Sequence, residues 1–470
     1  MKTLLSTPPG ETTEKWPPLG LLSLSASIRL HRPHDRVKVV DAFCRDMSVD
    51  DLLQEVLEES PEVLGLNCST HTFRETIEVM ERVSERLPEC ILILGGYHAT
   101  FTAEQILRRY RFIDYIIKGE GENVIVQLLN SLEGGSDPRN VDGISYLKNG
   151  DYIDNPLTLI EDLDGLPPLD RSELGDLHYG YVHQGIPLTF GKFTTVISSR
   201  GCPYDCQYCS CSSFSLRRWR KRSPENVVEE LERLYLEGYK SVVFVDDNFT
   251  QDKSRAMRIC ELILEKRIDI SLYCEGRVNN ASRELLSKMK EAGFDVIFFG
   301  AESASPHVLE FYNKKIRPEQ IEEAVQNAKD ANMMVITSFI MGAPVESEDD
   351  LQQTVDFIQR LRPHAVEINI LDYLVGTPLW HEKERSGEVD ADDWETNHRA
   401  YEYAGSLSRE TLESYVDRGY HQYLESWKCR AGSRELIKLI FNNRTARKVI
   451  ARNIANRDTW KIVTNRKTVN

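Results

Sequence analysis

Short apolar runs alternate with amphipathic stretches along the first 132 residues of the chain. The runs Val37 to Asp41, Val63 to Asn67, Ile91 to Gly95 and Tyr115 to Lys118 read as strands, with Lys2 to Ser6 a further strand at the edge. They are too short for helices and rich in β-branched residues. Between them Leu19 to Leu30, Val49 to Glu59, Thr72 to Leu87 and Ala103 to Arg109 place apolar side chains at helical spacing. This βαβα order predicts an α/β fold that opens with a Rossmann-like domain over residues 1–133, its ligand site at the carboxyl ends of the strands. Residues 134–190 then break the period and read as a linker with local structure, including a hairpin around Asn149-Gly150 and a stop at Pro167-Pro168.

The alternation resumes with longer spacing. Thr194 to Ser198, Ser241 to Asp246, Ile270 to Glu275, Val296 to Gly300, Val335 to Met341 and Val366 to Leu371 are strand candidates, with helices such as Glu225 to Glu237 and Glu319 to Ala331 between them. Six βα repeats within residues 191–375 fall short of the roughly 250 residues of a closed eight-stranded barrel, so the pattern predicts a partial (β/α)6 barrel. Residues 376–470 read as a helical C-terminal region expected to close the barrel mouth, with Asp372, Tyr373, His381, Trp394 and Tyr415 as substrate-side candidates.

The chain has 470 residues and no apolar run near the length that spans a bilayer. Its first residues, MKTLLSTPPGETTEKW, interrupt their apolar stretch too early for a secretory signal, and a cytoplasmic location is expected. The formal net charge of -16 argues against nucleic-acid binding by the surface as a whole. From Arg430 onward the sign reverses, with eleven Lys or Arg against two acidic residues. Leu436, Leu439, Ile440, Val449 and Ile450 interrupt that stretch, favouring a helix docked on the body over contact with an anionic partner or membrane surface.

Six of the ten cysteines are scattered and read as small buried hydrophobes. The other four crowd into Cys202-Pro-Tyr-Asp-Cys206-Gln-Tyr-Cys209 and Cys211. Three thiolates spaced this way on one loop suit the irons of an iron–sulfur cluster and leave one iron of four open. A zinc site is the competing reading, with Cys211 as fourth thiolate, but no second CxxC or Cys/His pair accompanies it. Downstream, Arg217 to Arg222 holds five basic residues around Trp219 and precedes a Ser223-Pro224-Glu225 helix start.

CxxxCxxC after the first strand of a six-fold βα series resembles the radical S-adenosylmethionine superfamily, over roughly Thr194 to Pro378. The resemblance implies a 4Fe-4S cluster on Cys202, Cys206 and Cys209, with S-adenosylmethionine on the open iron as source of a 5'-deoxyadenosyl radical. It further implies S-adenosylmethionine contacts from Tyr208, from Asp247 and Asn248 in Asp246-Asp247-Asn248-Phe249, from Arg277 as a fork on the methionine carboxylate, from Glu302 in Gly300-Ala-Glu-Ser303, and from Gly342 in Gly342-Ala-Pro-Val-Glu346. The basic run around Trp219 belongs, on this resemblance, to the family scaffold, and nucleic acid is not an expected partner.

The first domain resembles the cobalamin-binding half fused to one branch of that superfamily. The segments that carry the likeness are Pro17-Pro-Leu-Gly20, Asn67-Cys-Ser-Thr70, Gly95-Gly-Tyr-His98 and Lys118-Gly-Glu-Gly-Glu122. Ser69, Thr70, Gly95, Gly96, His98, Gly119 and Glu120 are the implied cobalamin contacts. No DxHxxG segment is present to supply an axial histidine, and His71 and His98 are read first as hydrogen-bonded loop histidines. The resemblance implies cobalamin-dependent methylation of an unactivated carbon or phosphorus centre in a small molecule or natural product, with an electron donor such as flavodoxin or ferredoxin as partner. The alternatives are cyclisation, dehydration or carbon–carbon coupling on the same fold, and, more remotely, an iron–sulfur redox or sensor protein.

Overall fold

The structure is a computed structural model, and it describes residues 1–10, 15–183, 186–389, 392–396, 398–399, 407–430, 438–439 and 441–448. The chain forms two compact units. The first holds residues Met1–Tyr179, Ser210–Arg217 and Leu374–Asn397; the second holds Gly180–Cys209, Arg218–Tyr373 and His398–Asn470.

The sheet of the first unit contains β1 (Lys2–Ser6), β2 (Arg36–Val40), β3 (Val63–Asn67), β4 (Ile91–Gly95), β5 (Tyr115–Ile117), β6 (Ile144–Lys148) and β7 (Asp151–Asp154), in the order β2-β1-β3-β4-β5-β6-β7. The first five run parallel. β1 is not the edge strand its terminal position suggested. It pairs with both β2 and β3, and its side chains from Thr3 to Ser6 are buried, as a strand covered on both faces requires. The hairpin at Asn149-Gly150 forms, both residues at positive φ, which matches the right-handed twist of its strands. It extends the sheet through antiparallel pairing of β6 with β5, so this part of the expected linker belongs to the first unit.

The second unit is built on β8 (Lys192–Val196), β9 (Tyr239–Phe244), β10 (Ser271–Gly276), β11 (Phe294–Glu302), β12 (Met334–Met341) and β13 (Ala365–Ile370), all parallel and in sequence order. This is the open six-stranded partial barrel. Helices return the chain between strands, and several start where the sequence offers a cap: Ser223 caps Pro224–Leu236, and Ser347 with Asp350 forms a capping box on Glu348–Leu361. Their apolar faces meet the strands in one core that includes Phe244, Phe294, Phe299 and Phe339.

The described parts of the C-terminal region within the second unit pack on the barrel at two places. Helix Arg409–Arg430 packs against Glu348–Leu361 and β13, where the Tyr420 hydroxyl accepts from the Ile368 amide and the Tyr423 hydroxyl donates to the His364 carbonyl. Residues 443–448 lie at the amino ends of the strands: Asn443 donates to the carbonyls of Asp295 and Asn332, and Arg444 pairs with Asp269. Leu439 is buried; Leu436, Ile440, Val449 and Ile450 fall outside the described residues. No helix among the described residues is long and apolar enough to cross a membrane.

Candidate functional site

The cysteine loop leaves the carboxyl end of β8 under tight control. The buried Asp246 carboxylate accepts from the Ser198 amide and from both the Ser198 and Ser199 hydroxyls, each at 2.6 Å, while Asp247 accepts from the Gly201 amide at 2.9 Å. Arg255 clamps the Ser198 carbonyl from the other side at 2.6 Å. Asp246 and Asp247 thus act through their side chains on the chain entering Cys202, a role the sequence reading did not assign them.

The far side of the loop rests on the turn after helix Pro306–Phe311. The Gln207 amide donates to the Tyr312 carbonyl at 3.0 Å, and the Asn313 side-chain amide donates to the Asp205 carbonyl at 2.7 Å. Cys206 is buried, and Cys202 and Cys209 are half-buried. Burial pushes the Cys202 thiol up, opposed by the Tyr204 amide and by Arg277. Cys211 lies beyond the loop, on the short helix Cys211–Phe214 grouped with the first unit. Among the described residues no three His, Cys, Asp or Glu side chains close on a single metal ion. Three thiols carried on one anchored loop fit a cluster, whose ligands bind separate irons.

A buried triad stands next to the loop. Glu302 accepts from the Tyr208 hydroxyl at 2.8 Å and from the Lys314 ammonium at 2.6 Å, and Lys314 also donates to the Tyr208 hydroxyl at 2.9 Å. A register shift in β11 and a positive φ at Glu302 aim its carboxylate at these partners. A Cβ on Gly300 would fall 2.3 Å from the Glu302 carboxylate and 2.8 Å from the Lys314 nitrogen, so the glycine makes room for the ion pair. Burial, then Glu302, holds the Tyr208 phenol well above its ordinary range. Lys314 escaped the sequence reading, since nothing in Asn313-Lys-Lys315 marks which lysine folds inward.

Arg277 is placed differently from the expected carboxylate fork. One terminal nitrogen donates to Cys206 Sγ at 3.6 Å, the other to the Lys314 carbonyl, and the guanidinium lies 3.6 Å over the Tyr204 ring. Its Nε is buried without a partner and is the donor left for a ligand. Asn248 is internally satisfied through Thr250 and Gln251. Gly342, at φ +100°, and Ala343 donate to the buried Glu346, whose carboxyl burial raises to about 7 against the pull of those amides. Glu275, missed in the sequence, is also raised to about 7, by desolvation and then by Asp247 and Glu367. Of the basic run, Arg222 is tied to Glu230, Asn226 and the Ile197 carbonyl and Lys221 to Asp252, both within the scaffold.

In the first unit the strand ends carry Ser69 and His71 exposed and Thr70 half-buried. Asn67 Oδ1 is buried there without a partner, and a Cβ on Gly95 would meet only the Ile117 carbonyl at 3.6 Å. Room above a glycine beside an unpaired polar atom fits a flat ligand with polar edges. His98 is enclosed among aromatic side chains, its Nδ1 bonded and its Nε2 buried without a partner. It is fully buried, its Nδ1 shares a hydrogen bond with Thr70, and its ring lies 4.4 Å from Phe73 and 6.0 Å from Trp394. Desolvation lowers its pKa to about 4. Trp394, expected at the substrate, is packed into this aromatic group. Gly96 and Glu120 serve the fold: a Cβ at Gly96 would sit 2.5 Å from the Cys68 carbonyl, and Glu120 accepts from the Ile160 amide. Gly119, at φ +67°, donates its amide to the Thr100 hydroxyl at 3.0 Å.

Residues 196–358 match the radical SAM superfamily, and residues 10–129 match the B12 binding domain. The chain is 34% identical over 395 residues to an uncharacterized methyltransferase of Pyrococcus horikoshii, covering 81% of this chain and 82% of that protein. It is 28% identical to the anaerobic magnesium-protoporphyrin IX monomethyl ester cyclase of Rubrivivax gelatinosus, over 75% of this chain and 64% of the cyclase. The solved structure of the cobalamin-dependent S-adenosylmethionine radical enzyme OxsB, with aqua-cobalamin and S-adenosylmethionine bound, superposes with a TM-score of 0.70 at 18% identity, over 98% of this chain and 72% of that one. The chain belongs to the radical S-adenosylmethionine enzymes that carry a B12-binding domain. It is an enzyme of the cobalamin-dependent radical methylase family, whose cofactors are a 4Fe-4S cluster, S-adenosylmethionine and cobalamin.

Proposed function

We propose that this enzyme methylates an unactivated carbon or phosphorus centre of a small molecule or natural product, in the cytoplasm, with electrons from a flavodoxin- or ferredoxin-type donor. When bound, the cluster with S-adenosylmethionine supplies a 5'-deoxyadenosyl radical, and cobalamin supplies a transferable methyl group. Cys202, Cys206 and Cys209 hold the cluster; Tyr208, Asp247, Asn248, Arg277, Glu302 and Gly342 surround S-adenosylmethionine. Arg277 contributes its unpartnered Nε, and Lys314 holds the Glu302 carboxylate in place through their ion pair. Ser69, Thr70, Gly95 and Gly96 would present the strand ends to the corrinoid.

The observation that carries the reading is the presence in one chain of the anchored three-thiol loop and of strand ends open above Gly95. A cyclase reading has support of its own in the likeness to the porphyrin ester cyclase. Product analysis separates the two. Reduced, cofactor-loaded enzyme turning over a metabolite extract should accumulate 5'-deoxyadenosine and S-adenosylhomocysteine together, and methyl-deuterated S-adenosylmethionine should label the product. Accumulation of 5'-deoxyadenosine alone, with unlabelled product, would put the cyclase reading first.

A further inference from the structure

Arg277 is bonded directly to a cysteine of the loop. Its Nη1 points at Cys206 Sγ at 3.6 Å, its Nη2 is held by the Lys314 carbonyl, and its face is stacked 3.6 Å over Tyr204, itself between Cys202 and Cys206 in sequence. The side chain is 7% exposed, so its charge is poorly screened and its orientation is fixed from three sides. The group most affected by such a donor is the thiolate it faces. Hydrogen bonds to cluster sulfurs and nearby positive charge both favour the more negative, reduced state of an iron–sulfur centre, and so raise its potential.

We infer that Arg277 is a positioning residue of the cluster, which raises the reduction potential through its N–H···S bond to Cys206 and so brings the cluster within reach of a one-electron donor. This rests on the assignment of Cys206 as a cluster ligand. It differs from a carboxylate clamp because it acts when S-adenosylmethionine is absent. The turn Tyr312 to Lys314 joins the two functions: it supports the cysteine loop through Gln207 and Asp205, and it fixes Arg277 through the Lys314 carbonyl.

The test is a redox titration, followed by electron paramagnetic resonance, of anaerobically reconstituted full-length protein without S-adenosylmethionine, for wild type, Arg277→Gln and Arg277→Lys. Arg277→Gln is expected to retain iron and shift the midpoint to a more negative potential, with Arg277→Lys between the two because it keeps the charge and loses the fork. If Arg277→Gln fails to retain iron, Arg277→Lys decides: a potential below wild type supports the inference. Potentials indistinguishable from wild type in every variant that holds a cluster would overturn it, even if S-adenosylmethionine affinity falls, since that pattern belongs to a carboxylate clamp alone. Failure of the ligand assignment itself would look different, as a full cluster signal persisting in Cys206→Ala.

Discussion

A thiolate ligand and a nearby thiol differ in what their loss removes. Cys206→Ala is expected to abolish the broad iron–sulfur absorption, whereas Cys211→Ala, beyond the anchored loop, should leave it nearly intact; optical spectra after anaerobic reconstitution check both. Glu346 gives a second residue-level outcome. Its folded pKa, raised to about 7 from 4.5, means that the folded state binds more protons than the unfolded one between these values, so stability contributed by this group falls as pH rises through that window. Thermal melts at pH 5 and pH 8 should show a smaller decline for Glu346→Gln than for wild type, by up to about 3 kcal/mol. The cysteine spacing was legible because a loop motif is local in sequence. Lys314 and Asn313 were not, because their importance lies in contacts to Glu302 and Asp205 roughly a dozen and a hundred positions away, which no local pattern encodes.

Strands and helices were legible nearly to their ends, because buried parallel strands read as continuous apolar runs and the helices between them are amphipathic and capped. Sheet order was less so: β1 occupies an interior position because both its faces are covered, a tertiary fact that its place at the start of the chain conceals. The glycines at the end of β4 show the same division. Gly96→Ala should destabilise the first unit by about 3 kcal/mol or more with or without corrinoid, since it combines φ +97° with a 2.5 Å clash against Cys68. Gly95→Ala has room, so it should fold normally yet retain less cobalamin through gel filtration; unchanged retention would remove Gly95 from the contact surface. In the second unit, at the amino ends of the barrel strands, Asn443 is buried and serves two carbonyls, so Asn443→Ala should cost about 1–3 kcal/mol in urea melts.

At the scale of the whole molecule, one acidic chain joins a B12-binding domain to a radical S-adenosylmethionine domain. Within the basic tail that breaks the acidic pattern, Arg444 pairs with Asp269 and Asp295 and Lys448 lies over the Phe190 ring. Each chain is expected to carry both a three-cysteine cluster and a corrinoid, loaded independently, and metal analysis of protein reconstituted anaerobically with iron, sulfide and hydroxocobalamin and then gel-filtered, for wild type and Cys206→Ala, tests this directly. Wild type should hold about four irons and about one cobalt per chain, with iron lost and cobalt kept in the variant. Wild-type protein that holds iron but no cobalt, or a variant that keeps its iron, would contradict it.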